Sequence, residues 1–434
     1  MASTRLTKVY GSSGNRRTYT LSAWVKRSGL GSNQDIISAY RSTDGLQTDV
    51  MRWTSANKFQ FYMHATSGGT NAQLTTDRVF RDTNAWYHIV TRVDTTQSTA
   101  SNRVRIYING VQETSFSTET YPDQNEQSIW GLGDSNVTHT IGAVGTSNYL
   151  DGYLSHVHYA DGYSYDASTF GETDSTTGEW QIITSPSFTL GTNGFTILKD
   201  GNTVTDQSTN SNDFSVASGT LTKSEDNPSS IFCTANPLSK GSDTVLTNGN
   251  NTARNDTSNN SNTLGTIAFG NGKYYFEGYR YGGGNIGIGV CLASKYGGVH
   301  SEVEAGRVLY YENGSIFCNG LSDQSNITTG VTYSDTDIIS VSMDTENGIL
   351  KFYKNDTLVT NSTITNSKFT NAENIWVPHT YQNNGGEWRL NFGNGYFGTT
   401  AVSSAGTNAS NNGIFEYDVK PSDATALSTK GLNL

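Results

Sequence analysis

The stretch Val104-Arg105-Ile106-Tyr107-Ile108-Asn109-Gly110-Val111-Gln112 decides the fold class. Three aliphatic residues alternate with Arg105 and Tyr107, the two-residue period of a strand with one buried face. Asn109-Gly110 is the dipeptide best suited to a type I′ hairpin turn, and Val111-Gln112 begins the return strand. Upstream, Trp86 to Val93 reads as another strand, with Tyr87, Ile89 and Val93 on one side. Leu21, Ala23 and Val25 alternate in the same way, and Leu154, His156 and His158 alternate with Val157 and Tyr159 further on. No stretch has a helical period.

The pattern repeats in the second half. Lys273 to Gly278 is a strand, and Ile286-Gly287-Ile288-Gly289-Val290 is a glycine-interrupted strand suited to close backbone approach. Ile338 to Asp344 leads through Asn347-Gly348 into Ile349 to Lys354, and Asn355-Asp356 turns the chain back at Thr357. Between Thr184 and Asn262 the sequence turns polar, with blocks at 203–212 and 247–262. The expected architecture is all-β: two antiparallel β-sandwich (jelly-roll) modules, residues 1–183 and 263–434, joined by a polar, loop-rich linker with short strands at 184–262.

Composition agrees. Of 434 residues, 46 are Gly and only 6 are Pro, so Gly and Asn must make most turns. The 34% hydrophobic content is low for a compact enzyme and sufficient for thin sandwiches with one wet face per sheet. The net charge is −11 and no Lys/Arg run exists, which argues against a nucleic-acid footprint or electrostatic membrane docking. The N-terminus has no apolar h-region, and no run of 18 apolar residues follows, so neither signal peptide nor membrane span is expected and synthesis is expected in a cytoplasm. Cys233, Cys291 and Cys318 are odd in number and fit no zinc spacing.

The first module resembles the laminin-G/concanavalin-A-like lectin fold, in the version found in structural proteins of marine tailed phages. Tyr19 to Arg27, Val79 to Asp82, Trp86 to Val90, Arg103 to Gln112, Leu150 to Leu154, Asp161-Gly162 and Phe170-Gly171-Glu172 carry that likeness, in order. The second module resembles a SPRY domain through Tyr274-Tyr275-Phe276-Glu277, Gly287 to Val290, Asp337 to Asp344, Lys351 to Asn355 and Asn391-Phe392-Gly393. The tail, Phe415 to Val419 and Ala426 to Lys430, also resembles phage proteins with this pairing of modules.

The resemblance implies a non-enzymatic surface protein of a virion, a capsid decoration or tail appendage subunit, oligomeric in the particle. Its partners would be other virion proteins and a host-surface glycan, and its attachment side the second module with the strand-like 415–419 tail. The alternative is a dedicated receptor-binding tail-fibre adhesin, although no heptad or repeat supplies a shaft. A glycan-degrading enzyme ranks below both. Glycosidases need two carboxylates about 5–5.5 Å apart when retaining, and neither Glu172-Thr173-Asp174 with Glu179 nor Glu302-Val303-Glu304 has the strand context. No cofactor is expected beyond the calcium that such lectin-like modules often carry. Asp94, Asp134 and Asp151 are the candidate ligands, although Ser155-His156 stands where relatives often have an acidic residue. The aromatic residues Tyr149, Tyr153, Tyr163, Tyr296 and Tyr310 are the candidate ligand contacts, because rigid rings stack on sugars and anchor interfaces.

Overall fold

The computed structural model describes residues 3–43, 47–199, 201, 203–295, 306–321 and 325–433. The chain divides into two compact units, Met1–Lys223 and Ser224–Leu434. Both are built from strands, and the only α-helix among the described residues is the four-residue Ser367–Thr370.

The first unit is a sandwich of an eight-stranded and a six-stranded sheet. The six-stranded sheet runs, in spatial order, Phe195–Ile197, Gly152–Asp161, Thr18–Arg27, Trp86–Asp94, Val104–Ile108 and Val111–Gln112. Every pairing in it is antiparallel. Alternation sends Tyr19, Leu21, Ala23 and Val25 inward with Ile89, Val93, Ile106 and Ile108, against Trp53, Phe59, Phe61 and Met51 of the opposite sheet. The hairpin at Asn109-Gly110 forms as expected, with φ of 49° and 78° at its two central residues.

The second unit pairs a seven-stranded with a nine-stranded sheet. The nine-stranded sheet contains, among others and in spatial order, Thr244–Thr247, Thr252–Asn255, Gly386–Asn391, Lys273–Tyr281, Ile338–Asp344 and Ile349–Lys354. Phe276, Ile288, Val341, Leu350, Phe352, Trp376 and Trp388 fill the space between its sheets.

Four expectations need correction. Residues 184–262 are not a linker. Phe195–Ile197 pairs with Gly152–Asp161 and Ser215–Ser218 with Arg5–Lys8, so they complete the first unit. Ala235–Lys240, Thr244–Thr247, Thr252–Asn255 and Ser261–Gly265 are strands of the second. Some of the polar side chains there serve backbone groups: Asp206 accepts from the amides of Thr196, Ser208 and Asn212 at 2.8–2.9 Å. The 154–159 alternation breaks at a bulge between Ser155 and His158, where His156 has φ of 48°. Asn347-Gly348 lies in a four-residue connection, Thr345 to Gly348, between strands paired Asp344 to Ile349. Residues 415–419 are not a strand: Phe415 and Val419 pack inside the second unit with Tyr275 and Phe232.

Candidate functional site

The inward set of the six-stranded sheet fixes its outward set. Ser22, Trp24 and Lys26 face out beside Trp86, His88, Val90 and Arg92, with Trp24 opposite His88 in register. Tyr107, Ser155 and His158 extend this outer face to either side. Its centre is not open: Val90 and Tyr107 pack against Ala167 and Phe170, with Tyr165, Trp180 and Phe188 around them. Trp180 comes from a separate two-stranded hairpin, Gly171–Thr173 with Trp180–Ile182, laid over the sheet. A Cβ at Gly110 would stand 2.4 Å from the Trp180 ring, so the same glycine that makes the I′ turn also makes room for this cover.

Beneath the cover lies the nearest thing to catalytic machinery. His88 is stacked on Trp24 at 4.7 Å, and its Nε2 lies 2.9 Å from Ser22 Oγ. The other ring nitrogen, Nδ1, accepts from the Trp180 indole N–H at 3.0 Å. An indole nitrogen can only donate, so Nδ1 carries no proton and Nε2 does. His88 therefore donates to Ser22 and cannot take its proton. This is the opposite tautomer from a hydrolytic triad, in which a carboxylate holds Nδ1–H and leaves Nε2 free as the base. Burial pushes the His88 pKa down to about 3, so the imidazolium form is also disfavoured. His158 is likewise buried, stacked on Phe170 at 5.4 Å and 2.9 Å from Thr196 Oγ1.

The carboxylates named from sequence do not converge here. Glu172 and Glu179 are exposed on the cover hairpin, and Asp174 caps its turn by accepting from the Thr176 and Thr177 amides. Glu302 and Glu304 lie outside the described residues.

At one end of the face, Lys26 donates to Asn84 Oδ1 at 3.0 Å and sits 5.7 Å from the Tyr153 ring centre, with Trp86 alongside. Tyr149, on the loop before this strand, is half-buried. At the other end Tyr163 is 41% exposed and stacks parallel to Tyr165 at 5.9 Å. Next to Tyr165 in the chain, Asp166 pairs with Arg92 at 2.7 Å and accepts from the Tyr107 hydroxyl at 2.6 Å. Burial would raise the Asp166 pKa, but these two hydrogen bonds together with the Arg92 and Arg105 charges hold the carboxyl below its usual range. Arg105 faces Arg92 across the strand pair. An exposed aromatic step beside a fixed guanidinium–carboxylate fork can offer stacking, donors and an acceptor to a polyhydroxy ring at once.

The other sequence candidates fall elsewhere. Tyr310 is not a surface contact: it is fully buried in the second core, its ring tilted against those of Tyr333 and Phe352, because the strand period turns Val308 and Tyr310 inward and Tyr311 out. Tyr296 lies outside the described residues. Asp94 accepts from Thr96, Gln97 and Thr18, and Asp134 from Arg41 and Asn136, while Asp151 is a surface residue. Among the described residues no group of three or more His, Cys, Asp or Glu side chains is arranged to hold a metal ion. Sequence reading missed Arg92, Tyr107 and Asp166. The available signal was register: Arg92 and Tyr107 share the outer parity of two strands already recognised, and Asp166 follows Tyr163-Ser164-Tyr165.

Residues 6–164 match the family model described as the concanavalin A-like lectin/glucanases superfamily. No curated protein sequence matches the chain. Among solved structures it is similar to the SPRY domain of human HERC1, with 16% identity over 36% of this chain and 96% of that one and a TM-score of 0.28. It is also similar to the TRIM65 PSpry domain, at 12% identity over 37% and 91% with a TM-score of 0.29. For stonustoxin the values are 17% identity, 37% of this chain, 27% of that chain and a TM-score of 0.26.

Proposed function

We propose that this chain is a non-catalytic saccharide-binding protein that works on the surface of a tailed-phage virion. The observation that carries the binding reading is the Tyr163–Tyr165 step beside the Arg92–Asp166–Tyr107 network, at the accessible end of a face whose centre is plugged. The His88 tautomer and the scattered carboxylates support a non-catalytic reading. The sequence resemblance of both modules and the tail supports the virion setting, with other virion proteins as partners and a host glycan as ligand. The 415–419 tail is used inside its own unit, so docking onto the particle falls to another surface.

Binding of the full chain to purified host-surface polysaccharide tests the reading. Tyr163→Ala should weaken binding about three- to tenfold, the worth of one aromatic stack. Asp166→Asn should weaken it as well, and no reducing ends should appear during incubation. Unchanged binding by both variants would remove the site. Labelling of intact particles that finds the protein only in the infected cytoplasm would remove the virion setting.

A further inference from the structure

The nine-stranded sheet of the second unit also has an outer face, and it is half covered. Tyr274 and Phe276 point into the core, so Tyr275, Glu277, Tyr279 and Tyr281 point out along the same strand. Glu387, Arg389 and Asn391 lie on the neighbouring strand, and Thr252 and Arg254 on the next, with Arg254 opposite Glu387. The C-terminal segment covers the Tyr275 end: Phe415 packs edge-on against Tyr275 at 5.0 Å, among Phe232, Val419, Ala424 and Ala426. The opposite end stays open, and Tyr281 is 44% exposed there.

What stands at the open end is held in place. The Arg389 guanidinium lies 4.0 Å over the Tyr281 ring and 5.8 Å from that of Tyr279. Its Nε donates to Glu387 at 2.6 Å, and its stem passes within 3.5 Å of where a Gly398 Cβ would be. Arg254 reaches Glu387 at 3.9 Å and Asp256 at 2.6 Å. Phe397 packs on Tyr279 at 5.9 Å and closes one side. Fixing the fork and the rings beforehand removes much of the ordering cost that binding would otherwise carry.

We propose that Tyr281, Arg389, Arg254 and Glu387 form a second saccharide site, separate from the Tyr163 end of the first unit. Sugar hydroxyls both donate and accept, and this cluster offers guanidinium donors and a carboxylate acceptor together. Two arginines are balanced by Glu387 and Asp256, which disfavours a simple anion as ligand. A protein partner normally buries roughly 800 Å² per side around an apolar core, whereas this cluster exposes one aromatic among ion pairs. Arg389 occupies one face of Tyr281, and a sugar ring would take what the ring still exposes.

Saturation-transfer NMR on the full chain tests this, with methyl glycosides of glucose, galactose, N-acetylglucosamine and glucuronic acid as probes. The measurements use Tyr163→Ala protein, in which the first-unit site is weakened about three- to tenfold, so that the remaining binding weighs toward the second site. At least one neutral glycoside should still bind, and adding Tyr281→Ala should weaken that binding about tenfold. Arg389→Lys, which keeps the charge and loses the fork, should weaken it as well at an unchanged thermal midpoint. If no glycoside binds Tyr163→Ala protein, or if Tyr281→Ala changes nothing, the second site is overturned. The wild-type comparison with Tyr163→Ala judges the first site independently.

Discussion

At the scale of single residues, two buried carboxylates stand out. Glu277 Oε1 accepts from the Tyr275 hydroxyl and the Tyr417 amide, both at 3.0 Å. Its Oε2 accepts from the Glu416 amide at 2.9 Å and from Asn391 Nδ2 at 3.3 Å. Burial nevertheless lifts the Glu277 pKa to about 7, and it does the same to Asp49 in the first unit. A carboxyl raised in the folded state binds more protons there than in the unfolded chain. Its contribution is full below the unfolded value, 4.5 for Glu277, and is lost as pH rises to about 7. The urea midpoint of the second unit should therefore fall between pH 5 and pH 7.5. Glu277→Gln should flatten that slope and cost about 1–3 kcal/mol, because an amide nitrogen would then face two of the four donors. A slope that survives the substitution would assign the titration to another group.

At the scale of elements, the cover hairpin of the first unit depends on one side chain. Trp180 donates to His88, stacks on it at 5.9 Å, and fills the space that Gly110 and Gly171 leave. Its two strands pair with each other and with no other sheet, so beyond buried Phe170 at its base the hairpin is held mainly by Trp180. Trp180→Ala should leave the sandwich folded but raise amide exchange across 171–182 to that of a loosely held segment. Gly110→Ala should act on the same hairpin through a clash with Trp180, and also strain a turn residue at φ 78°. Exchange that rises equally through Thr18–Arg27 would mean that the cover and the sheet open as one body.

At the scale of the whole molecule, the boundary at Lys223 and Ser224 has a direct consequence. A fragment ending at residue 183 lacks Phe195–Ile197, which pairs with Gly152–Asp161, and Phe214, which packs on Phe195 at 4.9 Å. It also leaves Arg5–Lys8 without its Ser215–Ser218 neighbour. Fragment 1–223 should unfold cooperatively, while 1–183 should show a broad transition or aggregate. A cooperative transition in 1–183 would return residues 184–223 to the status of a linker.

The sequence by itself determined the strands with a clean period, the I′ turn at Asn109-Gly110, and the all-β class, because each is written within a few neighbouring residues. It also named Tyr163 among five candidate tyrosines, without telling which of them the fold would leave exposed. Only the tertiary structure decided the rest. Asn255 looks like a solvated loop residue until the Gln382 carbonyl, 127 residues away, arrives to accept from its side-chain amide. Tyr310 and Tyr311 are chemically alike, and strand register alone sends one into the core and the other out. The Ser22–His88 pair could not be judged before Trp180 was seen to fix its tautomer, across 92 residues of sequence. Backbone periodicity is local and therefore legible, whereas hydrogen-bond satisfaction and the facing of side chains are settled by which distant segments the fold brings together.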